Sequence, residues 1–231
     1  MERPYLIPIE PSLGAPEALI IVQEPLSQRI TFPEQQDQWW WAIRTLGWHG
    51  SIYQLWWDQS RFDLSLESLA PMGVEGMVHW HRYKNYLRRM GKHWLPQLVS
   101  ELSLPAVSLF GFSLGVRVVY YAMRDWPETA PPLNQGVLLA GTVRRDRDWW
   151  AAVSHLTGTL INIYNSEDLI LNRFCQMLEW ERSPCGLKPI IDDSPQLINF
   201  NATPLMQTAE YSALNYLPVL QEMIKQGWWK I

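Results

Sequence analysis

The chain reads Gly111-Phe112-Ser113-Leu114-Gly115 between an apolar run at residues 106–110 and an amphipathic segment at residues 116–123. A serine flanked by glycines at a strand-to-helix junction is typical of a nucleophile elbow, where the glycines permit close backbone packing that a Cβ would block. The pattern predicts that Ser113 projects its hydroxyl from the end of a strand. It also predicts that the Leu114 N–H lies at a helix N-terminus, where an oxyanion is stabilised. The alternative is a Gly-Ser-Gly turn that carries no chemistry.

Apolar runs alternate with longer amphipathic stretches on both sides of this turn. We predict strands at residues 18–23, 51–57, 105–110, 136–140, 160–164 and 196–200. The stretches between them have helical spacing and are long enough for parallel crossovers. The sequence therefore predicts a three-layer α/β sandwich around a mostly parallel sheet of about six strands. Its length favours one domain over residues 1–231.

The connection that begins at residue 58 is polar, interrupted by Gly and Pro, and long for a compact domain. Long loops at the carboxyl ends of strands commonly cover active sites, so residues 58–80 are a candidate lid. The alternative is a disordered excursion.

The composition excludes several classes of protein. A formal net charge of −4 gives no electrostatic reason to expect nucleic acid as a partner. The prolines within residues 1–16 argue against a signal peptide, and no apolar stretch is long enough to be a transmembrane segment. The two cysteines, Cys175 and Cys185, are too few for a disulfide framework and lack metal-ligand spacing. We therefore expect a cytoplasmic protein with no metal ion and no cofactor.

Many of the 14 tryptophans are adjacent in sequence, at residues 39–41, 56–57, 149–150 and 228–229. Neighbouring residues on a helix point about 100° apart, so such a group cannot all face one core. One interpretation is a tryptophan-rich contact surface for a protein partner, a lipid or an acyl chain. The alternative is that these are large core residues with one exposed edge.

A serine nucleophile requires an acid and a general base. In the chain order of α/β-hydrolases, the acid and then the histidine follow the serine on loops beyond later strands. Asp168 follows the strand at residues 160–164 and is the predicted acid, with Glu167 as a substitute. Asp168 is also a candidate helix N-cap, and the two roles can coexist.

The histidine is missing from its expected place, because none of the five histidines follows the last predicted strand. Ser113 then lacks the base that would take its proton. His79 and His81, which follow the long polar connection, are the candidate replacements. His155 is expected at the wrong end of the sheet, and His49 and His93 at the surface or in satisfied core positions.

A family resemblance lies in the elbow and the residues after it, Val116-Arg117-Val118-Val119-Tyr120. These residues resemble an uncharacterised α/β-hydrolase family that includes eukaryotic transmembrane and coiled-coil domain-containing proteins. Residues 160–168 are similar to its acid strand, and residues 55–58 to a strand that ends in a Trp-acidic pair. The likeness covers residues 18–225 and implies that Ser113 is the nucleophile and Asp168 the acid.

Two departures from that family both weaken stabilisation of the transition state in which the serine attacks a carbonyl group. The family has Gly-His near residues 208–211, where this chain places alanine or glutamate at the histidine position. The family's first strand runs into a glycine that helps to form the oxyanion hole, whereas this chain has Glu24-Pro25. Pro25 has no N–H to donate, which leaves the Leu26 N–H as the second candidate donor.

Two functions follow from these residues. The first is a serine-hydrolase-like protein of the esterase, lipase or acyl-hydrolase type, with weak or lost catalysis and, if active, ester or thioester substrates. The alternative is a non-catalytic pseudohydrolase that binds a small acyl or ester ligand, or a protein partner through the tryptophan-rich surface.

Overall fold

Seven strands form one central sheet. The computed structural model describes residues 3–24, 38–58, 73–178, 183–206 and 212–230. The strands are β1 (Tyr5–Glu10), β2 (Glu17–Glu24), β3 (Ser51–Trp56), β4 (Ala106–Ser113), β5 (Leu133–Leu139), β6 (Leu160–Tyr164) and β7 (Leu197–Asn201). Their spatial order is β1-β3-β2-β4-β5-β6-β7. The β1–β3 pair is antiparallel and all other pairs are parallel.

The helices occupy the connections between strands. They are α1 (Trp39–Thr45), α2 (Val74–Arg89), α3 (Leu95–Glu101), α4 (Gly115–Arg124), α5 (Trp149–Val153), α6 (Leu169–Leu178) and α7 (Ala213–Lys225). A π-helical segment, Met90–Trp94, joins α2 to α3 without a break. Helix α2 begins at Val74, so residues 74–80 of the candidate lid are helical, and residues 59–72 lie outside the described ranges.

Alternating side chains divide the core between the two faces of the sheet, as the two-residue period of a strand requires. On β2, Ala18, Ile20 and Val22 pack on the face covered by α2 to α6. Leu19 and Ile21 pack on the opposite face, covered by α1 and α7. The predicted three-layer α/β sandwich is confirmed.

The sheet has one strand more than predicted. Each of the six predicted strands is present, with bounds that shift by three residues at most. The additional strand is β1, whose pattern in the sequence is interrupted by Pro8. It tolerates Pro8 because it is an edge strand, and its register with β3 shifts between Pro8 and Glu10.

The residues after α7 return to the sheet. Trp229 is 1% exposed and its ring lies 6.2 Å from that of Phe110. The carbonyl oxygen of Trp228 accepts hydrogen bonds from Gln135 Nε2 and Thr159 Oγ1. Trp229 thus completes the core on the face that α1 and α7 cover.

Candidate functional site

Ser113 is the last residue of β4, and α4 begins two residues later. Its φ of 55° lies in the left-handed region, which is rare for residues other than glycine and marks a strained turn. A Cβ on Gly115 would lie 2.1 Å from the Val22 carbonyl oxygen, so β2 and α4 approach too closely for any side chain there. This is the strand-turn-helix geometry that a nucleophile elbow requires.

The neighbouring strand ends in the same way. Ala140, directly after β5, has a φ of 48°. Two adjacent parallel strands therefore each have a residue with left-handed backbone at the carboxyl edge of the sheet: Ser113 ends β4, and Ala140 follows β5. Strain of this kind clusters at binding and catalytic sites, which makes this edge the candidate site.

The Ser113 hydroxyl is enclosed. The residue is 0% exposed, and its Oγ has no hydrogen-bond partner among the residues that the structure describes. A buried hydroxyl without a partner is unfavourable, because water is removed and nothing replaces it. In this structure the hydroxyl is therefore closed off from solvent.

No histidine lies within hydrogen-bond distance of Ser113 Oγ. All five histidines are at described positions and all five are exposed. His79 and His81 lie on the solvent side of α2, whose buried side includes Trp80 and Tyr83. The structure therefore brings neither predicted replacement base to the serine. The segment where the resemblance expects a histidine, residues 208–211, lies outside the described ranges.

Asp168 lies beyond the end of β6, at the same edge of the sheet as Ser113. It is 4% exposed, and its Oδ1 accepts a hydrogen bond of 2.9 Å from the Leu171 N–H. That bond caps the N-terminus of α6, as the alternative role predicts. Strands β4 and β6 are separated by β5, so their ends are about 10 Å apart. In serine hydrolases an imidazole lies between such an acid and the serine.

Tyr216 is a neighbour of Asp168 that the sequence did not reveal. It lies on α7, with its ring 6.0 Å from that of Phe112 and 5.5 Å from that of Trp39. Burial raises the pKa of Tyr216, and the Asp168 carboxylate raises it further. The phenol stays protonated at neutral pH, so it cannot serve as the missing base. The signal in the sequence was its position, shortly after residues 208–211, where the resemblance expects a histidine.

Arg117 ties the serine turn to the end of β5. This residue of α4 is 5% exposed and donates to Thr142, from Nε to Oγ1 at 3.2 Å and from Nη2 to the carbonyl oxygen at 2.7 Å. Thr142 Oγ1 donates in turn to the Ser113 carbonyl oxygen at 3.5 Å. A charged residue within the apolar first turns of this helix was the signal in the sequence.

The oxyanion donors are only partly defined. Leu114 is buried at the N-terminus of α4, directly after the serine, where the sequence predicts the first donor. Leu26, the second predicted donor, lies outside the described ranges. Within those ranges, no three His, Cys, Asp or Glu side chains come together as a metal site requires.

Comparison with known proteins identifies the family. The model of the family described as "Protein of unknown function (DUF726)" matches residues 88–228, more than half of the chain, so the protein belongs to this family. The match includes both Ser113 and Asp168. No curated protein matches the sequence.

Several solved structures are similar to this one. A lipase-esterase related protein from Clostridium acetobutylicum has 8% identity and a TM-score of 0.48, over 97% of this chain and 99% of that chain. An esterase from Pyrococcus furiosus has 11% identity and a TM-score of 0.41, over 96% and 88%. An α/β hydrolase enzyme from a lagoon-sediment metagenome of Mar Chica, Morocco, has 13% identity and a TM-score of 0.43, over 96% and 95%.

The match to a family of unknown function agrees with the resemblance to an uncharacterised family, and the observed sheet confirms the α/β fold that the resemblance implied. Each tryptophan group has one buried member, namely Trp39, Trp57, Trp149 or Trp229. Of the other members, Trp150 is 65% exposed and the rest, Trp40, Trp41, Trp56 and Trp228, are half-buried. In the described ranges, no helix combines the length and apolar content needed to cross a bilayer.

Proposed function

We propose that this protein is a degenerate serine hydrolase of the esterase, lipase or acyl-hydrolase type, in which Ser113 has little or no turnover. One observation carries the proposal: Ser113 Oγ is buried, and no group in the described part of the chain forms a hydrogen bond with it. An alcohol is a poor nucleophile until a base takes its proton. Loss of the base costs on the order of 10⁴-fold or more in rate in serine proteases.

In this proposal the chain keeps the residues of a serine-hydrolase site other than the histidine. The left-handed turn aims Ser113 at the carboxyl edge, and Asp168 is the residue that a histidine would have bridged to the serine. Leu114, with Leu26, is the proposed oxyanion donor. If residual activity exists, Ser113 Oγ attacks the ester or thioester carbonyl carbon while water takes its proton. The C–O or C–S bond then breaks, the alcohol or thiol leaves with a proton from water, and a second water hydrolyses the acyl-serine.

The test is labelling with a fluorophosphonate probe, together with p-nitrophenyl butyrate hydrolysis. We expect the wild type to react no faster than Ser113→Ala. Ser154→Ala is a matched control, because Ser154 is an exposed serine on α5's C-terminal side. Labelling that Ser113→Ala abolishes and Ser154→Ala preserves would contradict the proposal. In that event His79→Ala and His81→Ala identify whether either histidine supplies the base.

The second candidate is a pseudohydrolase that binds an acyl ligand, or a protein partner through the tryptophan-rich surface. The exposed indole of Trp150 favours it, since a large exposed apolar side chain suits a contact surface. The test is titration with a long-chain fatty acid, monitored by the quenching of tryptophan fluorescence. Saturable quenching supports acyl binding, and a linear response argues against it. For a partner, Trp150→Ala should weaken an association that Leu169→Ala, at another exposed apolar residue, leaves intact.

A further inference from the structure

A basic groove lies on the outer side of α2 and the π-helical segment. It is lined by Asn85, Arg88, Arg89, Lys92 and His93 and has a volume of about 410 Å³. The five residues are all exposed, and their spacing of i, i+3, i+4, i+7 and i+8 places them on one helical face. A groove of this volume is within the range of small-molecule sites.

Charge is segregated along this part of the chain. Residues 76–100 contain five Lys and Arg and no Asp or Glu, whereas the whole chain has 19 Lys and Arg and 23 Asp and Glu. Within the described residues, no carboxylate pairs with Arg88, Arg89 or Lys92. Like charges one helical turn apart repel each other. An anion bound at this face would relieve that repulsion.

The helix dipole does not account for these cations. Basic residues stabilise the last turn of a helix, where carbonyl groups are unsatisfied. Here the helical chain continues from Val74 through the π-helical segment to Glu101. Arg88, Arg89 and Lys92 therefore lie in the middle of a continuous helix.

The helical segment that carries the groove packs directly on α4. A Cβ on Gly91 would lie 2.2 Å from the Val118 carbonyl oxygen, so the π-helical segment rests directly on α4. The Arg88 guanidinium lies 5.7 Å from the ring centre of Tyr121, also on α4. The Arg124 guanidinium lies 5.0 Å from the same ring and bonds to Asp125, so that carboxylate is already engaged. Segments of π-helix are frequently found at functional sites.

We propose that the basic groove binds the phosphate group of a small phosphorylated ligand or of a phospholipid headgroup. Guanidinium groups bind phosphate through paired N–H donors, which suits Arg88 and Arg89. Lys92 adds a point charge, and the Asn85 amide adds a neutral donor. The site is separate from Ser113 and does not depend on the function proposed for that residue.

The test is calorimetric titration of the full chain with sodium pyrophosphate. We expect saturable binding that weakens as salt is added, because exposed charges are screened. Arg88→Ala/Arg89→Ala should raise the Kd at least tenfold. Lys188→Ala/Lys230→Ala removes the same charge from exposed positions outside the groove and should leave the Kd within twofold. Arg89→Gln/Lys92→Gln, which keeps apolar stems, repeats the test if the alanine pair does not fold.

Vesicles distinguish the two sources of phosphate. Phosphatidic acid vesicles that bind the protein and are displaced by pyrophosphate identify a lipid headgroup, with phosphatidylcholine vesicles as the control. Pyrophosphate binding without vesicle binding identifies a soluble ligand. The site is overturned if pyrophosphate does not bind, if both charge-matched double variants weaken it equally, or if pyrophosphate leaves vesicle binding unchanged.

Discussion

Two buried serines on one strand should respond oppositely to the same substitution. Ser113 and Ser108 both lie on β4 and are 0% and 1% exposed. Ser113 Oγ has no hydrogen-bond partner. Ser108 Oγ donates to the Glu17 carboxylate and accepts a hydrogen bond of 3.0 Å from the Gln135 N–H. Comparing the two serines therefore measures how much the unpaired Ser113 hydroxyl lowers the free energy of unfolding.

The magnitudes follow from that difference. An unpaired buried hydroxyl costs about 1–3 kcal/mol, so Ser113→Ala should raise the free energy of unfolding by about 1–2 kcal/mol. The left-handed backbone strain is unchanged, because alanine also has a Cβ. Ser108→Ala leaves the Gln135 N–H unsatisfied and should lower the free energy of unfolding by about 1–3 kcal/mol. For a chain of this size, each kcal/mol shifts Tm by about 2–4 °C.

Urea unfolding monitored by circular dichroism measures both variants. We expect the midpoint to rise for Ser113→Ala and to fall for Ser108→Ala, with similar m-values. If Ser113→Ala proves as destabilising as Ser108→Ala, the Ser113 hydroxyl makes a favourable interaction in solution. The description of an unpaired, enclosed nucleophile would then be refuted.

Three further predictions test the site. Gly115→Ala should lower the free energy of unfolding, measured in urea, by about 3 kcal/mol or more, because the new Cβ would lie 2.1 Å from a backbone oxygen. Gly111→Ala should lower it by about 1 kcal/mol, because its Cβ would lie 3.1 Å from a side chain; equal losses for the two variants would contradict this. Asp168→Ala should cost about 1 kcal/mol by thermal unfolding and Asp168→Asn far less, since asparagine also caps helices; a large loss with asparagine would show that the charge itself is needed. Burial raises the pKa of Cys185 to about 12, so iodoacetamide at pH 8 should modify it only in urea, and rapid native modification would disprove its burial.

Local patterns in the sequence were sufficient for the parallel core of the fold. Strand β6 was predicted with its observed bounds because five apolar or amide residues lie between clear turn signals. Strand β1 was missed because Pro8 interrupts the pattern, and only the finished sheet shows that it lies at an edge. Its place at the edge follows from pairing with β3, which lies far along the chain.

The candidate site was predictable in part for the same reason. The turn at Ser113 and the cap at Asp168 are local features, and each has a short sequence signature. The enclosure of Ser113 and the proximity of Tyr216 to Asp168 depend on residues far apart in the chain. Such packing is visible only in three dimensions, so the sequence predicted the turn but not the inaccessibility of its hydroxyl.

The position of Trp229 has a consequence for synthesis of the protein. Its indole covers Phe110, yet it leaves the ribosome after every strand and helix described above. Until then, a nascent chain with all its strands still exposes aromatic surface on one side of the sheet, a state prone to association with other chains. Closure of this side therefore waits for residues that follow the last described helix, and a chaperone that shields aromatic surface should increase the yield of folded protein.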